Sequence, residues 1–254
     1  MKLSTYHILK NAVPNNQIEV TGELLKSLKK ELLGILIDFS NVCERHQYYY
    51  SLCGGTALGA VRHKGFIPWD DDIDVFMLRS DYEKFLKIFH AELGECYYLQ
   101  SMETTPEIGM PITKLMKKGT VYKTYITPKD VDSGIHIDIF ILENTPDHYL
   151  LRMVHGTIST GLGLCLSCAR TYYTRERLRE VFAGSDGEVI KAINQKIMIG
   201  SFLRFLPLAK WTKLYADWNK ICKNDQSKYV VCAMGVKHYF GEIFLRQDYC
   251  LTKS

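Results

Sequence analysis

Long apolar runs are missing from this sequence. In its apolar region Tyr149 to Ala169 the longest uncharged run, Gly156 to Ala169, has 14 residues, well short of the ~20 that a bilayer-spanning helix needs. The first ten residues contain no apolar signal core, so the expected location is the cytoplasm, where the eight cysteines stay reduced and serve mainly as small core residues. Cys165-Leu-Ser-Cys168 is the one Cys-x-x-Cys, with no second pair or histidine partner beside it, which argues against zinc or redox chemistry. There is no long basic run, no stacking module, no internal repeat and no low-complexity segment. A net charge of +4 and a pI near 8.5 are mildly basic. Nucleic acid is therefore not expected as a partner, and a weak peripheral attraction to an anionic membrane face is.

With 254 residues, the chain is long enough for a sizeable core plus an appendage. Apolar residues at three- and four-residue spacing, Leu24 through Cys43, predict an amphipathic helix from about Thr21 to His46. Tyr48 to Cys53 reads as a strand, Thr56 to Val61 as a short helix, and Ser80-Asp81-Tyr82-Glu83 has capping-box spacing that predicts a helix running to about Leu93. Short strands are expected at about Cys96–Gln100, Thr113–Met116 and Thr120–Thr124. Residues 146–254 read as mainly helical, including a stripe from Leu208 to Cys222 introduced by Pro207.

What is present in quantity is chemistry within one short stretch, Gly54 to Val75. Gly54-Gly55 before Thr56 forms a turn able to aim backbone N–H groups, and the positive end of a helix, at a phosphate. Asp72-Ile73-Asp74-Val75-Phe76 alternates with period two, which as a strand puts both carboxylates on one face and Ile73 and Val75 in the core. Two unit charges ~4 Å apart repel by roughly 4 kcal/mol at an effective dielectric of 20, which a divalent ion reverses. Hard oxygen donors suit Mg²⁺ or Mn²⁺. A third carboxylate comes from Ile135-His136-Ile137-Asp138-Ile139-Phe140-Ile141, where the isoleucines share one face and Asp138 needs a partner on the other.

The glycine pair, the spaced Asp-x-Asp and the later lone aspartate resemble the nucleotidyltransferase superfamily. The longer run Gly-Gly-Thr-Ala-Leu-Gly-Ala-Val-Arg-His-Lys-Gly-Phe-Ile-Pro-Trp-Asp-Asp-Asp-Ile-Asp-Val, followed by Arg79-Ser80-Asp81-Tyr82-Glu83-Lys84-Phe85, is similar to the LicD phosphotransferases and fukutin-related proteins, over roughly residues 22–145. The resemblance implies an α+β fold, a nucleotidyltransferase-like mixed sheet flanked by helices, with a catalytic core over 1–145 and a mainly helical C-terminal region over 146–254. It also implies transfer of phosphocholine or a polyol phosphate from a CDP-linked donor (CDP-choline or CDP-polyol) to a glycan or lipid-linked glycan hydroxyl. Asp72, Asp74 and Asp138 are then the catalytic metal-binding carboxylates, with Asp138 either a third ligand or the base that deprotonates the acceptor. Gly54, Gly55, Thr56 and Lys114 are expected at the donor phosphates. Arg62 and Lys64 are either diphosphate ligands or salt-bridge partners of the aspartates, and His63 is either a donor contact or a packed imidazole. The family pattern continues into a Tyr-Gly element and a Pro- and His-containing close; none follows Tyr249, so a truncated or divergent member is expected.

Three other readings share these residues. A nucleotidyltransferase moving a whole NMP would use the same carboxylates. An EF-hand loop beginning at Asp70 fails, because its sixth position is Val75 rather than Gly and its twelfth is Asp81 rather than Glu. A catalytically inactive glycan-binding relative is separated by assay alone.

Overall fold

A computed structural model describes residues 20–124, 133–235 and 237–250. In its first half, α1 (Gly22–Arg45), β1 (Tyr50–Leu52), α2 (Gly54–His63), β2 (Asp74–Leu78), α3 (Arg79–Glu92), β3 (Tyr97–Gln100), β4 (Thr113–Lys117) and β5 (His136–Asn144) follow one another. The strands form a mixed sheet in the order β1-β2-β5-β4-β3. β2 and β5 run parallel, with Asp74 beside Asp138, and the other neighbours in that order run antiparallel.

The α1 periodicity works as its spacing predicts: Leu28, Leu32, Ile35, Phe39, Val42 and Cys43 are buried against Val75, Met77, Leu115, Ile137, Ile139 and Ile141 of the sheet, together with Tyr82 and Phe85 of α3. Fully burying such a side chain contributes roughly 1.5–3 kcal/mol. The sheet's period-two alternation then turns Asp74, Lys114 and Asp138 to its other face.

Several expectations are corrected. The strand carrying Asp74 starts at Asp74, so Asp72 lies in the preceding loop, although Ile73 is buried as alternation requires. Ser80 does not cap α3. The helix begins at Arg79 without a side-chain cap, and the Asp81 carboxylate instead accepts the Tyr49 backbone N–H at 3.1 Å and Lys84 Nζ at 3.0 Å. No strand forms over 120–124. The Tyr122 backbone there bonds to Ser133: its N–H donates to the Ser133 carbonyl (2.7 Å), and its own carbonyl accepts the Ser133 hydroxyl (2.6 Å).

Beyond β5 the described chain is mainly helical: α4 (Tyr149–Tyr173), α5 (Arg175–Val181), α6 (Gly187–Leu203) and α7 (Leu208–Asn219). Leu166 and Ala169 of α4 pack with Trp211, Tyr215 and Ala216 of α7, while Val189, Ile193 and Ile197 of α6 enclose Phe182. The helical reading of this region missed two short strands. β6 (Tyr229–Val231) pairs antiparallel with the end of β5, placing Val231 opposite Glu143, and β7 (Ile243–Leu245) pairs with β6. No described helix is long and apolar enough to cross a membrane. Cys165 and Cys168 are free thiols on α4, each pushed above the usual thiol range by burial.

A buried ion network closes the far end of the parallel pair. Arg79, the first residue of α3 directly after β2, donates Nε to Glu143 Oε2 at 2.9 Å and its Nη2 to Glu143 Oε1, while its Nη1 reaches Glu103 Oε1 at 3.2 Å. Lys220 Nζ donates to the same Glu103 oxygen at 2.5 Å.

Candidate active site

The near end of the same two strands is acidic. Register alone assembles a row across four strands: Asp74 (β2) beside Asp138 (β5), beside Lys114 (β4), beside Gln100 (β3). Adjacent strands lie ~4.8 Å apart, so side chains in such a row interact directly. Lys114 Nζ donates to Asp138 Oδ1 at 3.0 Å and to His136 Nε2 at 2.6 Å. His136 Nδ1 lies 2.8 Å from the Gly134 carbonyl. Nδ1 therefore carries the proton and Nε2 presents a lone pair to the ammonium. Burial, and then Lys114, hold the His136 pKa below its ordinary value, so the ring is neutral.

The loop before β2 brings up the remaining carboxylates. Lys29 of α1 clamps it by donating Nζ to the Ile67 and Pro68 carbonyls (2.9 and 2.8 Å) and lying over the Phe66 ring. Carboxylate oxygens of Asp70, Asp71 and Asp72 come within 4.8 Å of one another. The pKa of Asp74 is pushed up to about 8, first by burial and then by Asp72, Asp138 and Asp70, with Lys114 opposing. Burial, then Asp70, Asp71 and Asp138, push Asp72 up to about 6. Burial and Asp71 also raise Asp70. These directions record a shortage of positive charge, since Lys114 alone among them pulls Asp74 down. Oxygen donors crowded in this way fit a hard divalent cation.

Gly54, Gly55 and Thr56 come to the same place. α2 opens at Gly54, whose φ of +53° favours glycine, and a Cβ added at Gly54 would stand 3.3 Å from Asp74 Oδ2. At Gly55 it would meet Asp70 Oδ2 at 2.7 Å, so a side chain there displaces a site carboxylate. Thr56 Oγ1 accepts the Asp74 backbone N–H at 2.9 Å and so ties the helix start to the strand start.

Arg62, His63 and Lys64 do not arrive there. They lie at the other end of α2, ~14 Å along its axis from Gly54 at 1.5 Å per residue, and all three are exposed. At that end, Arg62 and His63 complement the helix dipole. Lys117 and Lys118 also face away: Lys117 pairs with Glu31 (2.6 Å), and Lys118 donates to the Gly94 carbonyl (2.6 Å).

A cleft of about 250 Å³ opens on the carboxylates, lined by Asp71, Asp72, Lys114, His136 and Asp138 together with Leu28, Leu32, Tyr122, Thr124 and Ile135. Sequence reasoning did not place Tyr122 or His136 in a site. His136 was signalled by sharing a strand face with Asp138, whereas Tyr122 carried no signal, because only the fold swings its loop back over the Asp71 carboxylate.

Residues 47–155, which span this site, match the family model for the LicD/FKTN/FKRP nucleotidyltransferase domain. Over those residues the chain is similar to that family. It is 42% identical over 138 residues to the lipopolysaccharide cholinephosphotransferase LicD of Haemophilus influenzae, a match covering 52% of this chain and 51% of that protein. It is also 28% identical over 118 residues to an uncharacterized protein of Rickettsia prowazekii, covering 46% of this chain and 41% of the relative. The chain thus spans about half the length, or less, of the curated relatives it matches. No solved structure matches it.

Proposed function

We propose that this protein transfers phosphocholine, or a related alcohol phosphate, from a CDP-activated donor to a glycan hydroxyl and releases CMP. The observation that carries this reading is the crowding of Asp72 and Asp74, both pushed up in pKa, with Asp138 beside Asp74 on the neighbouring strand, inside a region that resembles a family with a cholinephosphotransferase among its members. The acceptor is a cell-surface or lipid-linked glycan, met from the cytoplasmic side, in line with the lipopolysaccharide in the name of the Haemophilus relative.

In this reading Asp72, Asp74 and Asp138 would hold Mg²⁺ or Mn²⁺, which when bound would neutralise charge on the phosphoryl oxygens. The chain's own groups do the rest. The start of α2, with its glycine pair, offers backbone N–H groups and the positive end of its dipole to the donor diphosphate. Lys114 keeps a third ammonium proton for a phosphate oxygen beyond the two directed at Asp138 and His136. Asp138 accepts the proton of the acceptor hydroxyl as its oxygen bonds to the distal phosphorus of the donor, while the bond to the CMP oxygen breaks in line. The chain contributes no nucleophile, so no covalent enzyme intermediate forms.

Mass spectrometry of reactions containing purified protein, Mg²⁺ or Mn²⁺, a candidate glycan and CDP-choline, CDP-ribitol or an NTP is the direct test. A glycan heavier by an alcohol phosphate, with CMP released, is the expected product. A product heavier by an NMP would assign nucleotidyl transfer instead, and turnover of none of them would leave a glycan-binding role.

A further inference from the structure

Helix α4 has no acidic residue in its 25 positions, Tyr149 to Tyr173. Its inner face is filled: His155, Gly156, Ser159, Leu166 and Ala169 are buried, and a Cβ added at Gly156 would meet the Tyr239 ring at 2.5 Å and the Phe240 ring at 2.7 Å. The outer face of its first three turns has no such cover. Leu150, Leu151, Val154 and Ile158 fall within an arc of ~100° at 3.6 residues per turn, and their exposures are 64%, 61%, 55% and 39%. Tyr149 at the helix start and Phe240 beside Gly156 are exposed as well. The one charged side chain of these turns, Arg152, is turned away from that face. Its Nη1 donates to the Pro146 and Asp147 carbonyls at 3.0 and 2.9 Å, and its guanidinium lies over the Tyr229 ring. A contiguous apolar face of this kind on a water-facing helix marks an interaction surface.

We infer that this face docks the protein on an anionic membrane surface. Charge selects that occupant. No side chain of α4 repels anionic headgroups, and Lys228 and Lys237 stand exposed at its margins. Lys228 is tied to the helix start, its backbone N–H donating to Asp147 Oδ1 at 2.7 Å, and Lys237 precedes Phe240 by three residues. The acids on this margin are Asp147 and Glu242, and Glu242 Oε1 likewise accepts the Lys237 backbone N–H, at 3.3 Å. No described helix is long and apolar enough to cross a bilayer. The face therefore lies in the interfacial plane, its aliphatic side chains among the upper acyl chains and Tyr149 at headgroup level. So small a contact gives reversible binding that needs both the apolar face and anionic lipid. The chain reaches α4 from the far end of β5, where Asn144 lies six residues, ~20 Å, along the strand from Asp138. Docking there leaves the acidic cleft uncovered, and it is independent of which group the cleft transfers.

The test is co-sedimentation of the full chain with vesicles of phosphatidylcholine alone, or of phosphatidylcholine and phosphatidylglycerol in equal parts. The chain is expected to pellet with the anionic vesicles and to bind the neutral ones about tenfold more weakly. Leu150→Gln combined with Val154→Gln, two exposed positions given a good helix former, should weaken binding by roughly tenfold or more at an unchanged circular dichroism spectrum. If that variant loses helix content, Lys228→Gln combined with Lys237→Gln replaces it, and should bring the anionic vesicles down to the level of the neutral ones. A parent that stays in the supernatant with both vesicles, or a folded variant that binds anionic vesicles as the parent does, overturns the docking face. So does sedimentation velocity without lipid that shows a dimeric parent and a monomeric Leu150→Gln, Val154→Gln variant, since a second copy then covers the same residues. Calorimetry with CDP in Mg²⁺ reports separately on the transfer reading: docking without CDP binding keeps the face and removes the donor, and CDP binding without docking does the reverse.

Discussion

The two parallel strands β2 and β5 carry buried charge at both ends, and the two ends are built on opposite principles. At the far end, Arg79 and Lys220 face Glu143 and Glu103, two cations for two anions, each with a bonded partner. At the near end, Asp70, Asp71 and Asp72 crowd one another, Asp74 lies beside Asp138, and Lys114 is bonded to Asp138. A balanced cluster such as the first holds elements together, here β2, β5, the loop after β3 and α7. An unbalanced cluster raises the free energy of the folded chain and persists where something else is meant to complete it. The contrast separates structural from functional charge within one sheet.

The largest effect is expected at the acidic end and in activity alone. Asp74→Asn removes a proposed metal ligand and should lower phosphoryl transfer by about 10³-fold, the scale of several kcal/mol of lost charge stabilisation. The same change relieves repulsion, so the melting temperature measured without metal should stay level or rise slightly. A variant that melted well below the parent, yet transferred at the parental rate per folded molecule, would break the contrast by making Asp74 a structural acid.

At the balanced end the roles reverse. Glu143→Gln leaves the buried Arg79 short of a counter-ion, with Glu103 as its remaining partner, and should lower stability by roughly 3 kcal/mol in urea denaturation, the low end for breaking a buried pair. The folded fraction should transfer normally.

A third test sharpens the comparison through pH. Asp72 and Asp74 have folded pKa values of about 6 and about 8, well above the ~3.9 of an unfolded aspartate. The folded state therefore binds these protons more tightly. The stability they contribute is fully present below about pH 4 and is lost as pH rises through 6 and then 8. Denaturant melts without metal should show that decline between pH 4 and 8. Mg²⁺ should flatten it, because metal binding strengthens as the carboxylates lose their protons. Asp74→Asn should remove its upper part. A metal-free profile that stays level across the window would mean the acids are not crowded as described.

Much of this was legible in the sequence wherever periodicity was long. The α1 stripe marks a helix to within a residue at each end, and alternation around Asp74 and Asp138 identifies which side chains leave the core. Short signals failed where tertiary contacts outweighed them. Ser80 and Glu83 have capping-box spacing, yet α3 already starts at Arg79 without a side-chain cap, and Asp81 instead accepts a backbone N–H from Tyr49. Tyr229–Val231 and Ile243–Leu245 are too short to show an alternation and become strands only because β5 offers its end. The glycine turn and the basic triplet Arg62-His63-Lys64 are close in sequence but sit at opposite ends of a ten-residue helix. The link from Lys114 to Asp138 depends on strand register, which no single segment encodes.

The late pairing of β6 with β5 bears on how the chain is made. Four helices separate Asn144 from Tyr229, and at ~5–20 residues per second a ribosome needs roughly 4–17 s to cross that interval. Throughout it the strand that carries Asp138 ends in unpaired backbone groups, the kind of open edge that invites pairing with a neighbouring chain. The nascent protein is therefore most exposed to aggregation after its acidic cleft has been synthesised and before residues 229–231 emerge to cover the edge.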